Sequence, residues 1–253
     1  MDSQAEEVLA GGNVAASVVR VGSTVRKPAT PATPAVHALL QHLAVAGFDG
    51  APRALGRDDA GRQVLEYVPG VTAYNAGPLT GAELHGVGSL IRGLHDAAET
   101  FSPPVDAEWD VAIPPDREDL ICHNDLAPWN LVRDGDSWVF IDWDGAGPGS
   151  RLWDIAYAAH GFVPFVAGGD AAGDAERLRT LADGYGLDES QRRELPALIE
   201  AHTRGMYDLL CHSALTGAQP WARLHAEGHA DHWGPAADYI GARLGQWSSA
   251  LLD

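Results

Sequence analysis

The stretch Ile121-Cys122-His123-Asn124-Asp125-Leu126-Ala127-Pro128-Trp129-Asn130-Leu131-Val132, continued by Val139-Phe140-Ile141-Asp142-Trp143-Asp144, decides the fold. It reads as apolar strand, polar loop, apolar strand, turn, apolar strand. Pro128, between Asp125 and Asn130, rules out a regular helix there. Asp134-Gly135-Asp136-Ser137 supplies the turn of an antiparallel hairpin. With that turn centred near position 136, Asn130 lies opposite Asp142 or its neighbour Ile141. Directly opposed residues bring their Cβ atoms to about 4.5–5.5 Å. An amide oxygen and a carboxylate therefore meet at one end of the hairpin, and Asp125 looks in from the preceding loop. That is a cation site with a candidate base beside it.

Composition bounds the rest. A chain of 253 residues suffices for one large domain or two lobes with a sizeable core. No apolar run approaches the roughly 18–20 residues of a membrane span. The acidic start Met1-Asp2-Ser3-Gln4-Ala5-Glu6-Glu7 is not that of a signal peptide. Two cysteines, Cys122 and Cys211, give no disulfide framework, so a reducing, cytoplasmic setting is expected. Acidic residues outnumber basic ones by 35 to 17, for a formal net charge of −18, which argues against nucleic acid or an anionic membrane as partner and favours a cationic substrate. Lysine occurs only at Lys27.

Taken in order, Glu7-Val8-Leu9, Ser17 to Val21 and Thr24 to Lys27 are expected as strands, the last two joined by the turn Gly22-Ser23. The small-residue loop Ala10 to Ala16, with Gly11 and Gly12, would let backbone N–H groups approach a phosphate, although as a motif it is weak and an ordinary hairpin loop reads the same. Arg26 or Lys27 would reach phosphate oxygens. Residues 29–34 are expected as a linker, 35–46 as a helix stopped by Gly47, and 51–56 and 62–68 as strands. Pro69-Gly70 breaks the chain and marks the boundary between an N-terminal lobe, 1–68, and a C-terminal lobe, 69–253. Thr80 and Glu83 form a capping box for a helix to Ala98. Gly145 to Gly149 is expected as a flexible loop, and helices are expected at 152–160, 174–186, 188–215 and 234–251. The order implies an α+β protein in two lobes, the first β-rich with one helix, the second larger and mainly helical.

His123-Asn124-Asp125-Leu126-Ala127-Pro128-Trp129-Asn130 resembles the H-x-D-x-x-x-x-N catalytic loop of aminoglycoside phosphotransferases, choline kinases and protein kinases. Ile141-Asp142-Trp143-Asp144 is similar to the metal-binding segment of those phosphotransferases, and Gly147 to Ala156 to the stretch that follows it. Leu65 to Gly70 resembles their hinge and Leu94-His95 their helix end, so the resemblance spans roughly residues 6–160. It implies a protein-kinase-like fold with ATP between the lobes and a phosphotransfer to an alcohol group. Asp125 would be the base that accepts the substrate hydroxyl proton, and Asn130 and Asp142 would hold Mg²⁺ on the ATP phosphates. Glu66, Tyr67 and Val68 would meet adenine, while His123 and Asp154 would support the loop. One departure stands out. Kinases pair the strand lysine with a helix carboxylate, but no Asp or Glu lies between Glu7 and Asp49; His37 or Gln41 takes that face.

The expected substrate is a small molecule, cationic and aminoglycoside-like on the charge argument, with choline or another amino alcohol and a neutral hydroxylated metabolite as alternatives. Asp144, Glu200 and Asp208 are the candidate acidic residues for it, with Trp129, Trp143 and Trp153 as linings. On either reading the chain is expected as a monomer or homodimer, and a different class of reading is a non-catalytic kinase-fold immunity protein that sequesters a toxin or antibiotic. It is motivated by the resemblance of Thr24 to Pro28 and His37 to Leu40 to actinobacterial phosphotransferase or immunity domains. His225, His229 and His232 imitate a metal cluster but read as surface. No G-x-S-x-G elbow or H-E-x-x-H helix is present.

Overall fold

In the computed structural model, which describes residues 5–9 and 18–253, strands and one helix come first and helices dominate from residue 151 onward. Gly11 and Gly12 lie outside the described residues. Strands β1 (Glu7–Val8), β2 (Val19–Val21), β3 (Thr24–Lys27), β4 (Ala54–Arg57) and β5 (Gln63–Glu66) form one antiparallel sheet in the order β1-β2-β3-β5-β4. Gly22, at φ 60, makes the tight turn between β2 and β3. Helix α1 (Thr33–Val45) buries Val36, Leu39, Leu40 and Leu43 beside this sheet. It starts within the expected linker because Pro34 fits a first helical turn, where its missing N–H has no partner to lose.

Strand β6 (Val71–Thr72) and the short helix α2 (Ala73–Ala76) lead to α3 (Gly81–Ala98). The capping box forms: Glu83 N–H donates to Thr80 Oγ1 at 3.3 Å and Thr80 N–H to Glu83 Oε2 at 2.8 Å. Strands β7 (Leu120–Cys122), β8 (Leu131–Asp134), β9 (Ser137–Phe140) and β10 (Gly147–Gly149) carry the central stretch. Strands β8 and β9 pair from Leu131↔Phe140 to Asp134↔Ser137, with Gly135 at φ 57 in the turn. One step beyond, Ile141 N–H donates to Asn130 O at 2.8 Å, so Asn130 opposes Ile141 and Asp142 is the next residue along. The expected flexible loop is partly a strand: β10 pairs with β7 from Gly147↔Cys122 to Gly149↔Leu120. Gly-Pro-Gly carries no strand propensity of its own, so a distant partner decides its conformation.

The remainder is α4 (Arg151–Phe162), α5 (Ala171–Tyr185), α6 (Glu189–Thr216), α7 (Trp221–Ala226), α8 (Ala230–Gly241) and α9 (Leu244–Leu252). The helix expected over 234–251 is therefore two helices, broken at Arg243 with φ −130. The break lets Trp247 turn inward, where it is fully buried and its Nε1–H donates to Ile240 O at 3.0 Å. That burial outweighs continuing the helix. No helix of the described residues is long and apolar enough to cross a membrane. The main core joins α3, α4, α5 and α9 to the underside of the β8–β9 hairpin through Ile91, Phe140, Ile155, Leu178 and Trp247.

Helices α3 and α5 approach closely at two glycines. A Cβ on Gly88 would overlap the backbone of Leu181 and Tyr185, and one on Gly184 the backbone of His85. Gly86, on the exposed face of the same helix, meets nothing. Alanine in place of a mid-helix glycine gains roughly 0.5–1 kcal/mol, whereas overpacking costs typically about 1–3 kcal/mol. Gly86→Ala should therefore raise the urea midpoint and Gly88→Ala lower it; equal midpoints for the two would contradict this close packing.

Candidate active site

The site is built on a buried carboxylate. Asp154, on α4 and 1% exposed, receives the backbone N–H of His123 at 3.1 Å and of Asn124 at 2.9 Å, and His95 Nε2–H at 3.0 Å. Burial alone would raise its pKa, but these bonds and the neighbouring imidazoles hold it below the usual carboxylate value. His95 in turn accepts from Tyr185 O–H at 2.8 Å through Nδ1. Asn124 takes a left-handed conformation at φ 61, which asparagine tolerates, and its amide donates to Gly145 O and Gly147 O. His123 spans the loop: its Nδ1 accepts from Asp125 N–H at 3.2 Å, so the neutral ring carries its proton on Nε2 and donates to Ile141 O at 3.2 Å. One imidazole thus ties the turn bearing Asp125 to the residue before Asp142.

Both oxygens of Asp125 are held. Tyr157 O–H donates to Oδ1 at 2.7 Å, and Asn130 Nδ2–H donates to Oδ2 at 2.8 Å and to the Asp125 carbonyl at 3.0 Å. Burial pushes the Asp125 carboxyl up to about 7, against the pull of these donors and with a further push from Asp142. The amide hydrogens of Asn130 point at Asp125, so its oxygen Oδ1 is the atom that could serve a cation. Asp142 sits at φ 62, left-handed, where the chain leaves the hairpin. Its Oδ1 lies 2.8 Å from Lys27 Nζ, while its side chain keeps 35% exposure. Burial raises the Asp142 carboxyl, but the Lys27 charge and hydrogen bond outweigh it and hold it low. Neighbouring carboxylates are thus driven in opposite directions. One is poised to exchange a proton near neutrality and the other stays ionised. Amide and carboxylate oxygens of this kind are the hard donors that suit Mg²⁺, which fills its remaining positions with phosphate or water.

The other expected site residues are scattered. Arg26 and Lys27 face opposite ways on β3: Arg26 is 3.4 Å from Asp58, and Lys27 reaches the site. Asp144 lies 2.8 Å from Lys27. Glu200 pairs with Arg204 at 3.5 Å, Arg204 also holds Asp238, and Asp208 is exposed on α6. Each of the three acids thus has its own surroundings among the described residues. Trp129, 40% exposed, lies in the 3-10 turn between Asp125 and Asn130, whereas Trp143 is buried with its Nε1–H on Phe140 O and Trp153 is buried beside His202. In the expected hinge, Glu66 N–H and Tyr67 N–H donate to Arg53 O and Ser23 O, each at 2.9 Å, and Val68 N–H has no backbone partner among the described residues. Among the described residues, the compact trio of metal-ligating types is His95, Cys122 and Asp154 rather than His225, His229 and His232. Its polar atoms are all engaged inside the core, the Cys122 thiol on Ser150 O.

Tyr157 and Gln63 escaped the sequence reading. Tyr157 follows Asp154 by one helical turn and so shares its face, a signal that periodicity carries. Behind it lies a second apolar cluster in which His160 stacks on Trp233 at 4.1 Å. Burial lowers the pKa of His160 to about 3 and of His202 to about 4, so both are neutral packing surfaces.

This architecture defines a two-lobed protein of protein-kinase-like fold. Residues 95–198 match the phosphotransferase enzyme family, and the chain belongs to it. It is 31% identical over 201 residues to the trifolitoxin immunity protein of Rhizobium leguminosarum bv. trifolii, a match covering 74% of this chain and 77% of that protein. Among solved structures it is similar to the microcompartment-associated aminopropanol kinase, with a TM-score of 0.69, 14% identity, and coverage of 100% of this chain and 95% of that one. It is also similar to the amicoumacin kinase hAmiN in complex with AMP-PNP, Ca²⁺ and Ami, with a TM-score of 0.65, 15% identity, and coverage of 100% and 89%. At such identities the two structures speak for the fold.

The raised Asp125 carboxyl has a consequence for stability. Unfolded, it ionises near its ordinary value of 3.8; folded, at about 7. Between these values the folded state holds the extra proton, so the stability contributed by this group falls as pH rises across that window. Asp125→Asn removes the effect. In metal-free buffer the melting temperature of the variant relative to the wild type should rise between about pH 4 and about pH 8, by on the order of 10 °C. A difference independent of pH would contradict the raised carboxyl.

Proposed function

We propose that this chain transfers the γ-phosphoryl group of ATP, with Mg²⁺, to a hydroxyl group of a small molecule, the nucleotide lying between lobes that divide near Val68. The observation that carries this is Asp125, fixed through both oxygens beside an ionised Asp142 that contacts the strand lysine. Bound MgATP would supply the phosphoryl group and the charge neutralisation of its transfer. Asn130 Oδ1 and Asp142 would hold the metal, and Lys27 the phosphate oxygens. Val68 N–H is the hinge donor for the base. Asp125 takes the proton of the acceptor hydroxyl as its oxygen bonds to phosphorus and the bond to the leaving diphosphate breaks. Tyr157 and Asn130 keep the accepting carboxylate oriented during that exchange.

The acceptor we favour is cationic, on the net charge of −18 and the exposed face of Trp129 in the catalytic loop. Similarity to an aminopropanol kinase agrees with an amino alcohol. The similarity to an immunity protein supports a second reading, sequestration of a toxin without chemistry. Immunity conferred by phosphorylating the toxin would satisfy both.

Mg²⁺-dependent ATP consumption against a panel of aminoglycosides and amino alcohols separates the two. The phosphotransferase reading expects turnover that Asp125→Ala reduces on the order of 10²–10⁴-fold, the usual worth of a general base. A wild-type protein that neither binds nor consumes MgATP would leave the sequestration reading.

A further inference from the structure

Helix α1 contains no carboxylate, and the residue it buries near Lys27 is His37. Lys27 is nevertheless not left to Asp142 alone. Its Nζ lies 2.8 Å from Asp144 Oδ2 as well as 2.8 Å from Asp142 Oδ1, with 6% of its side chain exposed. Asp144 is held in turn: its Oδ1 accepts from Gln63 Nε2 at 3.2 Å, and the same amide donates to Pro28 O at 3.1 Å. Gln63 is fully buried and is the direct cross-strand partner of Lys27 in the β3–β5 ladder, so the two side chains leave the sheet on one face. The His37 imidazole is turned to Gln63 rather than to Lys27, and burial keeps its pKa below the ordinary value, so it offers the ammonium no negative charge and does not stand in for the absent carboxylate.

We infer that Asp144, braced by Gln63, is the residue that positions Lys27, in the place a helix carboxylate occupies in kinases. The division of labour follows from the chemistry. A carboxylate that turns to a divalent cation has less to offer an ammonium, and Asp142 is the residue expected to turn. A second acid two residues on retains the lysine when that happens. Both anchors ride on the 142–144 turn and on β5, so a shift of α1 does not release the lysine, unlike an arrangement that depends on a helix carboxylate. What the ammonium then holds, phosphate oxygens, rests on the proposed phosphotransfer; the anchor itself does not.

Because Lys27 is the only lysine, acetylation by an amine-reactive ester, read by mass spectrometry, reports on this side chain apart from the N-terminal amine. In the wild type Lys27 should label slowly, with or without Mg²⁺. Asp144→Asn should raise the rate by about ten-fold or more, the worth of one hydrogen bond to a charged group. Asp144→Glu should restore part of the protection, and His37→Leu should leave it unchanged. Gln63→Met, which removes the brace and keeps the anchor, should label at an intermediate rate and serves if Asp144→Asn fails to fold. Labelling of Asp144→Asn at the wild-type rate, or of His37→Leu as fast as Asp144→Asn, would overturn the inference. Parallel ADP titrations keep the readings apart. If the wild type binds no nucleotide the proposed function fails, and the labelling still judges the anchor.

Discussion

The geometry of the site depends on the charge of Asp154 inside the core. A carboxylate at 1% exposure is sustained only by donors, and three surround it: the consecutive backbone N–H groups of His123 and Asn124 and the His95 imidazole. Removing the charge would leave those donors without partners in the core, so loop and helix α4 hold each other. The left-handed Asn124 follows from this, since consecutive N–H groups aimed at one carboxylate need an unusual backbone turn. His123 then carries the constraint across to the carbonyl of Ile141. Asp125 and Asp142 thereby take their places from one buried network, although they lie on separate segments.

On that frame the electrostatics separate two acids that share a neighbourhood. Asp142 has a cation against it and stays charged; Asp125 has only neutral donors, an amide and a phenol, and leans toward holding a proton. Neutral donors orient a carboxylate without fixing its charge, which is what a proton acceptor needs. The aromatic and histidine cluster packed around Tyr157 fixes the phenol that donates to Asp125. Lys27 lies between two acids and can give up part of its contact with one without being released.

What the sequence disclosed follows the range of the interactions involved. The hairpin was legible because its turn and its alternation are local, and register left only Ile141 or Asp142 opposite Asn130. The capping box of α3 was legible for the same reason. Strand β10 was not, since Gly147-Pro148-Gly149 becomes a strand through β7, and the break before α9 was not, since it depends on where Trp247 finds burial. The missing helix carboxylate could be seen as an absence, while its replacement could not. The contact from Lys27 to Asp144 joins the first sheet to the catalytic hairpin, and no periodicity encodes it. The partners of the candidate substrate acids were hidden on the same ground: Glu200 pairs with Arg204, Asp208 faces solvent and Asp144 binds Lys27, and no local pattern encodes these contacts.

The central claim is that Asn130 and Asp142 form a cation site that works with a nucleotide. Electron paramagnetic resonance of Mn²⁺, a stand-in for Mg²⁺, titrated with the protein in the presence of ADP, tests it most directly. The account predicts that the wild type immobilises the ion only when ADP is present, and that Asp142→Asn and Asn130→Ala leave it free. Immobilisation by both variants as complete as by the wild type would contradict it.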